Sequence, residues 1–346
     1  VDREPCSIDR RFAVIGCGSI GKRHIANLKF LGVKDILAYD PQTERREEAA
    51  RLGAATSATL DALWENRPEV CVITAPTALH LPLALEAAER GCHLFIEKPL
   101  SHEWSGVERL IDAVGRHKLI TLVGCNMRFH PGLRKVKRLL ERGAIGRVIA
   151  ARVEAGQYLP DWHPTEDYRK NYSARRELGG GVILDAIHEI DSVRWLAGEA
   201  AAVVCFAEKL SRLEIDTEDT AALLVRFDSG AIGEVHVDYV QRAYSRTCQV
   251  IGEEGTLHWD YTTGQVRWYA ARDRQWKTFA NPAGWQANQM YLDEMSHFLR
   301  CLVGQERAEL DVPEAARVLR IALAAKASAQ GGRWIALDSR TNELTG

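Results

Sequence analysis

The chain has 346 residues, and its 45 basic side chains nearly balance 47 acidic ones, giving a net charge of −2. That length supports two domains with separate cores. The even charge excludes a basic block for nucleic acid and a cationic amphipathic stretch for a membrane surface. Eight cysteines (Cys6, Cys17, Cys71, Cys92, Cys125, Cys205, Cys248, Cys301) are scattered without a CxxC pair, so neither a metal site nor a disulfide framework is expected. The first ten residues are polar and do not resemble a signal peptide, and the apolar runs are far too short to span a bilayer. A soluble, reduced, cytoplasmic protein is the expectation.

From 11 to 124 the pattern alternates strand and helix. Continuous apolar runs at 11–15, 35–39, 70–74, 93–96 and 120–123 read as strands buried on both faces. Amphipathic stretches such as 77–90 and 102–118 read as the helices between them, with Gly91 as a stop signal. This predicts a doubly wound parallel sheet. After a helix at 133–142 the pattern changes to strand-like segments at 148–154, 202–208, 220–227, 231–239, 245–252, 256–260 and 265–268. Asp228-Ser-Gly230 and Glu253-Glu-Gly255 are hairpin signals between them. Helices at 288–303 and 313–329 follow, the last started by Asp311 and Pro313. The expected organisation is therefore a Rossmann domain at 1–124 and an α+β domain at 125–346, with a large, mostly antiparallel sheet.

The first strand runs into Gly16-Cys-Gly-Ser-Ile-Gly21 at the start of a helix. This fingerprint seats a dinucleotide pyrophosphate: Gly16 permits the tight turn, Gly18 close backbone approach, and Gly21 close packing of helix on strand. Helix N–H groups from Ser19 and Ile20 onward face the anion. Asp40 ends the second strand about twenty residues beyond the fingerprint, where a carboxylate binds the adenosine ribose and repels a 2′-phosphate, favouring NAD with NADP possible. A turn or N-cap aspartate before Pro41 is the alternative. Arg45 and Arg46 are expected to be solvated, with some capacity to soften that preference.

Lys98, in Glu97-Lys-Pro99, places an ammonium at the carboxyl end of a parallel strand, where open α/β sheets bind ligands. Such a lysine can polarise a carbonyl or hold an alkoxide. The segment 178–191 carries three glycines followed by Asp185 and His188, three apart and so on one face of a single predicted helix. A carboxylate beside an imidazole suits a general base for alcohol oxidation, and an ordinary local pair is the alternative. Glu189 and Asp191 read as structural or solvent-facing. The punctuated, aromatic stretch 158–176 reads as a substrate loop. There Trp162, Tyr168 and Tyr172 offer faces for a sugar ring, and Arg169, Lys170, Arg175 and Arg176 suit an anion unless they pair with Glu166, Asp167 and Glu177. Arg128 and His130 follow the last parallel strand and join the same expectation. The Trp-rich region 259–285 reads as core or interface.

Gly16 to His24 (GCGSIGKRH), Thr74 to His80 (TAPTALH), Glu97 to Leu100 (EKPL) and Gly179 to Asp191 (GGGVILDAIHEID) together resemble the Gfo/Idh/MocA oxidoreductases, the family of glucose–fructose oxidoreductase and inositol dehydrogenase. The resemblance covers nearly the whole chain. It implies hydride transfer between NAD(P) and a carbohydrate-like hydroxyl, with Thr74, Pro76, His80, Glu97 and Lys98 at the cofactor. It also implies a homodimer or homotetramer built through the second sheet. Lys98, Asp185 and His188 take the positions of the family's lysine, aspartate and catalytic histidine. One departure is that Asp-x-x-His stands here where the family commonly has Asp-x-x-x-His. The reading is an NAD-dependent oxidoreductase acting on a ring hydroxyl or ketone of a sugar, sugar acid, nucleotide-sugar or cyclitol, through His188 as base, Asp185 as its partner and Lys98 as alkoxide stabiliser. Alternatives are an NAD-dependent glycoside hydrolase of the same fold and a non-catalytic NAD-binding sugar sensor.

Overall fold

The computed structural model describes residues 9–162, 164 and 166–337. Cys6, and His163 and Thr165 of the predicted substrate loop, lie outside the described residues. The described chain forms two compact units, one running to Asn126 and resuming at Gln286–Ala316, the other comprising Met127–Trp285 and the chain from Arg317 onward.

In the first unit strands and helices alternate as β1 (Phe12–Ile15), α1 (Ser19–Phe30), β2 (Ile36–Tyr39), α2 (Thr43–Arg51), β3 (Ala55–Thr56), α3 (Leu60–Glu65), β4 (Val70–Ile73), α4 (His80–Glu89), β5 (His93–Glu97), α5 (Val107–Arg116) and β6 (Thr121–Gly124). The six strands are all parallel, in the order β3-β2-β1-β4-β5-β6. Every residue of β1, β4 and β6 is buried, as their unbroken apolar runs require of strands covered on both faces. The helix expected from 102 begins later, at Val107, because Gly106 in the left-handed region (φ 92°) precedes it.

The second unit contains α6 (Pro131–Glu141), β7 (Val148–Gly156), α7 (Val182–Asp185), α8 (Ile187–Ala197), β8 (Ala200–Glu208), β9 (Thr220–Phe227), β10 (Ile232–Asp238), β11 (Ser245–Gly252), β12 (Gly255–Asp260), β13 (Gln265–Ala270), β14 (Gln275–Ala280) and β15 (Ile335–Ala336). Its nine strands order as β14-β13-β12-β11-β7-β10-β9-β8-β15, antiparallel except between β7 and β10. Burial alternates along β9 and β12, so one face of the sheet carries the apolar set, and α8 packs against β7 and β10. Both predicted hairpins are present, at Gly252–Gly255 and beside Gly230 (φ 84°). β14 went unpredicted because its residues are nearly all exposed and carry no apolar alternation.

After β14 the chain continues through α9 (Asn288–Leu302) and α10 (Val312–Gly331). The expected boundary gave both late helices to the second domain; instead, Gln286–Ala316, with all of α9 and the first turn of α10, belongs to the first unit, while the rest of α10 lies in the second. The cause is packing that periodicity does not reveal. Phe298 is fully buried with its ring edge-on to Phe95 of β5 at 5.7 Å, and Asn288 donates to Asn27 of α1 at 3.1 Å. Leu310 accepts from the Val123 N–H at 2.8 Å, extending β6's hydrogen bonding.

Candidate active site

Gly16 sits in the left-handed region (φ 100°) with its N–H on the Tyr39 carbonyl at 2.8 Å, which turns the chain sharply out of β1. A Cβ on Gly21 would lie 1.9 Å from the Gly16 carbonyl oxygen, so only glycine allows α1 to start this close to the turn. Gly18 caps α1, and a Cβ there would meet nothing within 4 Å. Ser19 is exposed and Ile20 half-buried, so the N-terminal amides of α1 border accessible space. Thr74 donates its hydroxyl to the Gly16 carbonyl at 2.5 Å and fixes the turn from β4. This arrangement fits a dinucleotide pyrophosphate, with backbone donors, the positive end of a helix and no side chain in the way.

Asp40 is 2% exposed at the end of β2. Its Oδ2 accepts from the Cys17 N–H at 2.8 Å and its Oδ1 from the Gln42 N–H at 2.9 Å. The turn-capping alternative therefore describes part of what Asp40 does, while the carboxylate still lies against the fingerprint. An ionised carboxylate offers about four acceptor positions, so two hydroxyls of a ribose can still be accommodated. Arg45 reaches to within 3.7 Å of Oδ2 and Arg46 donates to the Asp40 carbonyl at 2.7 Å, so neither is merely solvated. Burial, with the Asp40 charge second, pushes the Cys17 thiol up to about 12 and keeps it un-ionised.

At the end of β5 the Glu97 carboxyl turns inward. Oε1 meets His24 Nε2 of α1 at 2.6 Å and Oε2 accepts from the Lys98 N–H at 3.2 Å. His24, completely buried, was visible only as part of a motif, because nothing local marks a partner 73 residues away. His80 bridges the Ala75 and Pro99 carbonyls, at 2.8 and 2.7 Å, and so ties the turn after β4 to the turn that carries Lys98. Its burial holds the imidazole below its ordinary pKa. With both ring nitrogens against backbone, His80 shapes the cofactor end of the sheet. Pro76 is exposed beside it, and Lys98 is half-buried.

In the second unit the single helix expected through Asp185 and His188 is broken: α7 ends at Asp185 and α8 begins at Ile187, with Ala186 between them at φ −89°, ψ 32°. The shortened Asp-x-x-His spacing therefore spans a helix junction. Asp185, 4% exposed, accepts hydroxyl hydrogen bonds from Tyr172 at 2.5 Å, Ser173 at 2.6 Å and Tyr239 at 3.0 Å. Burial and the Asp185 charge raise the Tyr239 phenol well above its ordinary pKa, so it remains a donor. Ser173 and Tyr239 were missed because a hydroxyl 12 or 54 residues from its acceptor leaves no sequence signature. His188, at the first turn of α8, is 9% exposed. Glu189 is buried and pairs with Arg246 at 2.8 Å.

Most of the cations expected to receive an anion are engaged within the protein, while Lys170 is exposed. Arg128, 4% exposed, makes a two-pronged pair with Asp191 at 2.8 and 2.6 Å, so it braces α8. Arg169 bonds Asp167 and Glu214, both at 2.8 Å, and Arg175 pairs with Glu177. Arg176 donates through its backbone N–H to the Asp216 carboxylate at 2.7 Å and through its side chain to the Asp216 carbonyl at 2.8 Å. This is the pairing alternative, extended to acidic residues beyond the loop. The aromatics are also engaged: Trp162 lies edge-on to Tyr239 at 5.5 Å, the Tyr168 hydroxyl accepts from the Glu214 N–H at 3.2 Å, and Tyr172 holds Asp185. His130 is completely buried as the N-cap of α6, packed by Trp259, Tyr261 and Trp285, and burial lowers its pKa to about 4.

A parallel sheet with this fingerprint, joined in one chain to a large antiparallel sheet, defines the class of two-domain NAD-binding oxidoreductases. A family model for the oxidoreductase family with an NAD-binding Rossmann fold matches residues 10–125, and one for the GFO/IDH/MocA C-terminal domain matches 133–258. The chain belongs to the Gfo/Idh/MocA family and is an NAD-dependent dehydrogenase. It is 31% identical over 267 residues to myo-inositol 2-dehydrogenase of Thermotoga maritima, covering 72% of this chain and 75% of that protein. Among solved structures, levoglucosan dehydrogenase in complex with NADH shares the fold with a TM-score of 0.86 at 23% identity, over 95% of this chain and 99% of that one. The WlbA dehydrogenase of Bordetella pertussis, in complex with NADH and UDP-GlcNAcA, gives 0.81 at 26% identity over 96% and 99%. Among the described residues no helix is long and apolar enough to cross a membrane.

Proposed function

We propose that this dehydrogenase oxidises a ring hydroxyl of a neutral polyhydroxylated substrate, a cyclitol or a sugar, or reduces the matching ketone. The carrying observation is that Arg128, Arg169 and Arg175 pair with carboxylates of their own unit and Arg176 turns its guanidinium to the Asp216 carbonyl, so the loop's guanidinium groups are engaged within the protein. The relatives named for myo-inositol and, at 29% identity, levoglucosan support the same class. Bound NAD supplies the hydride acceptor. Gly16, Gly18, Ser19, Ile20 and Gly21 hold its pyrophosphate, and Asp40 takes the adenosine ribose. Thr74, Pro76, His80 and Glu97 shape the turns around it. His188 takes the hydroxyl proton, and the Lys98 ammonium stabilises the alkoxide. Asp185, bound to three hydroxyls, fixes the 172–173 turn against α7 at the junction from which α8 carries His188, and acts as the orienting partner of that base. A screen of cyclitols, neutral sugars and matched uronates with NAD, read at the NADH absorbance, tests this. A uronate with the higher kcat/KM would overturn the neutral-substrate reading.

A cytoplasmic homo-oligomer completes the proposal. Phe206 is 80% exposed on β8, and Leu224 on β9 and Ile232 on β10 are about half exposed on the same sheet. A groove of about 340 Å³ there is lined by Arg152, Glu154, Phe206, Leu224, Glu234 and His236. A second copy would cover these apolar side chains. Sedimentation should show a dimer or tetramer that Leu224→Glu dissociates, and a monomeric parent protein would refute it.

A further inference from the structure

The proposed chemistry uses Lys98 but leaves a carboxylic acid in the core of the first unit without a task. Glu294, in the middle of α9, is 1% exposed, and neither of its carboxyl oxygens has a hydrogen-bond partner among the described residues. The charge that reaches it is that of Glu97, at the end of β5. On α9 itself, Tyr291 lies one turn earlier and is also acted on by Glu97, by Arg23 of α1 and by Lys98, while Asp293 precedes Glu294 and His297, bonded to Glu306, follows it. β6, which also packs on α9, has no titratable side chain.

These neighbours are already committed elsewhere. His24 and Glu97 hold each other at 2.6 Å, and the Arg23 guanidinium lies 4.5 Å from the centre of the Tyr291 ring. Glu294 thus meets the charge of Glu97 with no cation paired to it among the described residues. An ionised carboxylate is far costlier to bury than a neutral one, and a nearby carboxylate adds to that cost. Burial first, and Glu97 second, raise the Glu294 carboxyl well above the ordinary carboxylate range.

We propose that Glu294 is held in the fold as a neutral carboxylic acid, a buried proton store in this corner of the Rossmann unit. No bond to carbon forms or breaks, and the only exchange is one proton with solvent. The arrangement makes the packing of α9 sensitive to alkaline pH, because loss of that proton leaves an unpartnered anion in the core. Unfolded, the same side chain titrates as an ordinary glutamate. Above that range the folded chain therefore holds one proton more, and stability falls as pH rises towards the folded value.

Two measurements on the full-length protein test this without NAD or substrate, so a failure here is distinct from a failure of the dehydrogenase reading. The infrared spectrum at neutral pH should contain the carbonyl stretch of a protonated carboxylic acid, and Glu294→Gln should remove it. In urea titrations the unfolding constant of wild type relative to Glu294→Gln should rise about tenfold per pH unit across the neutral range. A spectrum unchanged by Glu294→Gln, or a flat ratio, overturns the proposal. Should Glu294→Gln fail to fold, the wild-type band alone decides: it should persist at neutral pH and fade on alkaline titration, and its absence at neutral pH refutes the assignment.

Discussion

Replacing Asp185 separates a structural contribution from a catalytic one. In Asp185→Ala the hydroxyls of Tyr172, Ser173 and Tyr239 all lose the acceptor that now holds them. Each hydroxyl stranded away from water costs about 1–3 kcal/mol, and partial rehydration at half-buried Tyr172 trims the total to about 3–5 kcal/mol. Asp185→Asn keeps one oxygen, which can still serve Ser173 and Tyr239, so about 1–2 kcal/mol is expected there. For a unit of this size the alanine variant should melt about 10 °C lower, with the asparagine variant between it and wild type. Urea unfolding and differential scanning calorimetry on the three proteins measure this, and Tyr239→Phe should recover about 1 kcal/mol of the same loss. An alanine variant within about 1 kcal/mol of wild type would refute the claim that this carboxylate organises the 172–173 turn.

Lys98→Met and His188→Asn should each lower kcat by about 10²–10⁴-fold while leaving NAD affinity nearly unchanged, as read by steady-state kinetics and fluorescence titration. Asp40→Ser should weaken the preference for NAD over NADP by removing the charge that repels a 2′-phosphate, and tighter NADP binding by the unmodified protein would contradict the ribose assignment. His130 stays neutral in the fold down to about pH 4, whereas the unfolded imidazole takes up a proton near 6.5. Stability should therefore fall by about 3 kcal/mol as pH drops through that window, a dependence that His130→Asn abolishes in acid titrations followed by circular dichroism.

The features legible in the sequence were those written in short-range pattern. Continuous apolar runs marked the parallel strands, Asp228-Ser-Gly230 marked a hairpin, and the fingerprint glycines carried their own geometric reasons. Partnership over long separations was not legible. Periodicity identified α9 as a helix, but its place in the first unit depends on contacts such as Phe298 with Phe95. The break at Ala186 was hidden because apolar residues continue through it, so Asp185 and His188 read as one helical pair. The loop arginines looked available because part of their partnering, Glu214 and Asp216, comes from a different stretch of chain. Nothing in the local sequence of α9 marks Glu294 as buried.

The central claim is hydride exchange between NAD and a carbon bearing a ring hydroxyl, and isotope transfer tests it most directly. A panel of cyclitols and neutral sugars deuterated at the carbinol carbons would be incubated with the protein and NAD, and the recovered dinucleotide analysed by mass spectrometry. The account predicts reduced dinucleotide carrying one deuterium from one of these substrates, with turnover slowed by the label. Cleavage of a glycosidic bond with no net reduced dinucleotide, or NAD binding without label transfer from any member of the panel, would contradict it.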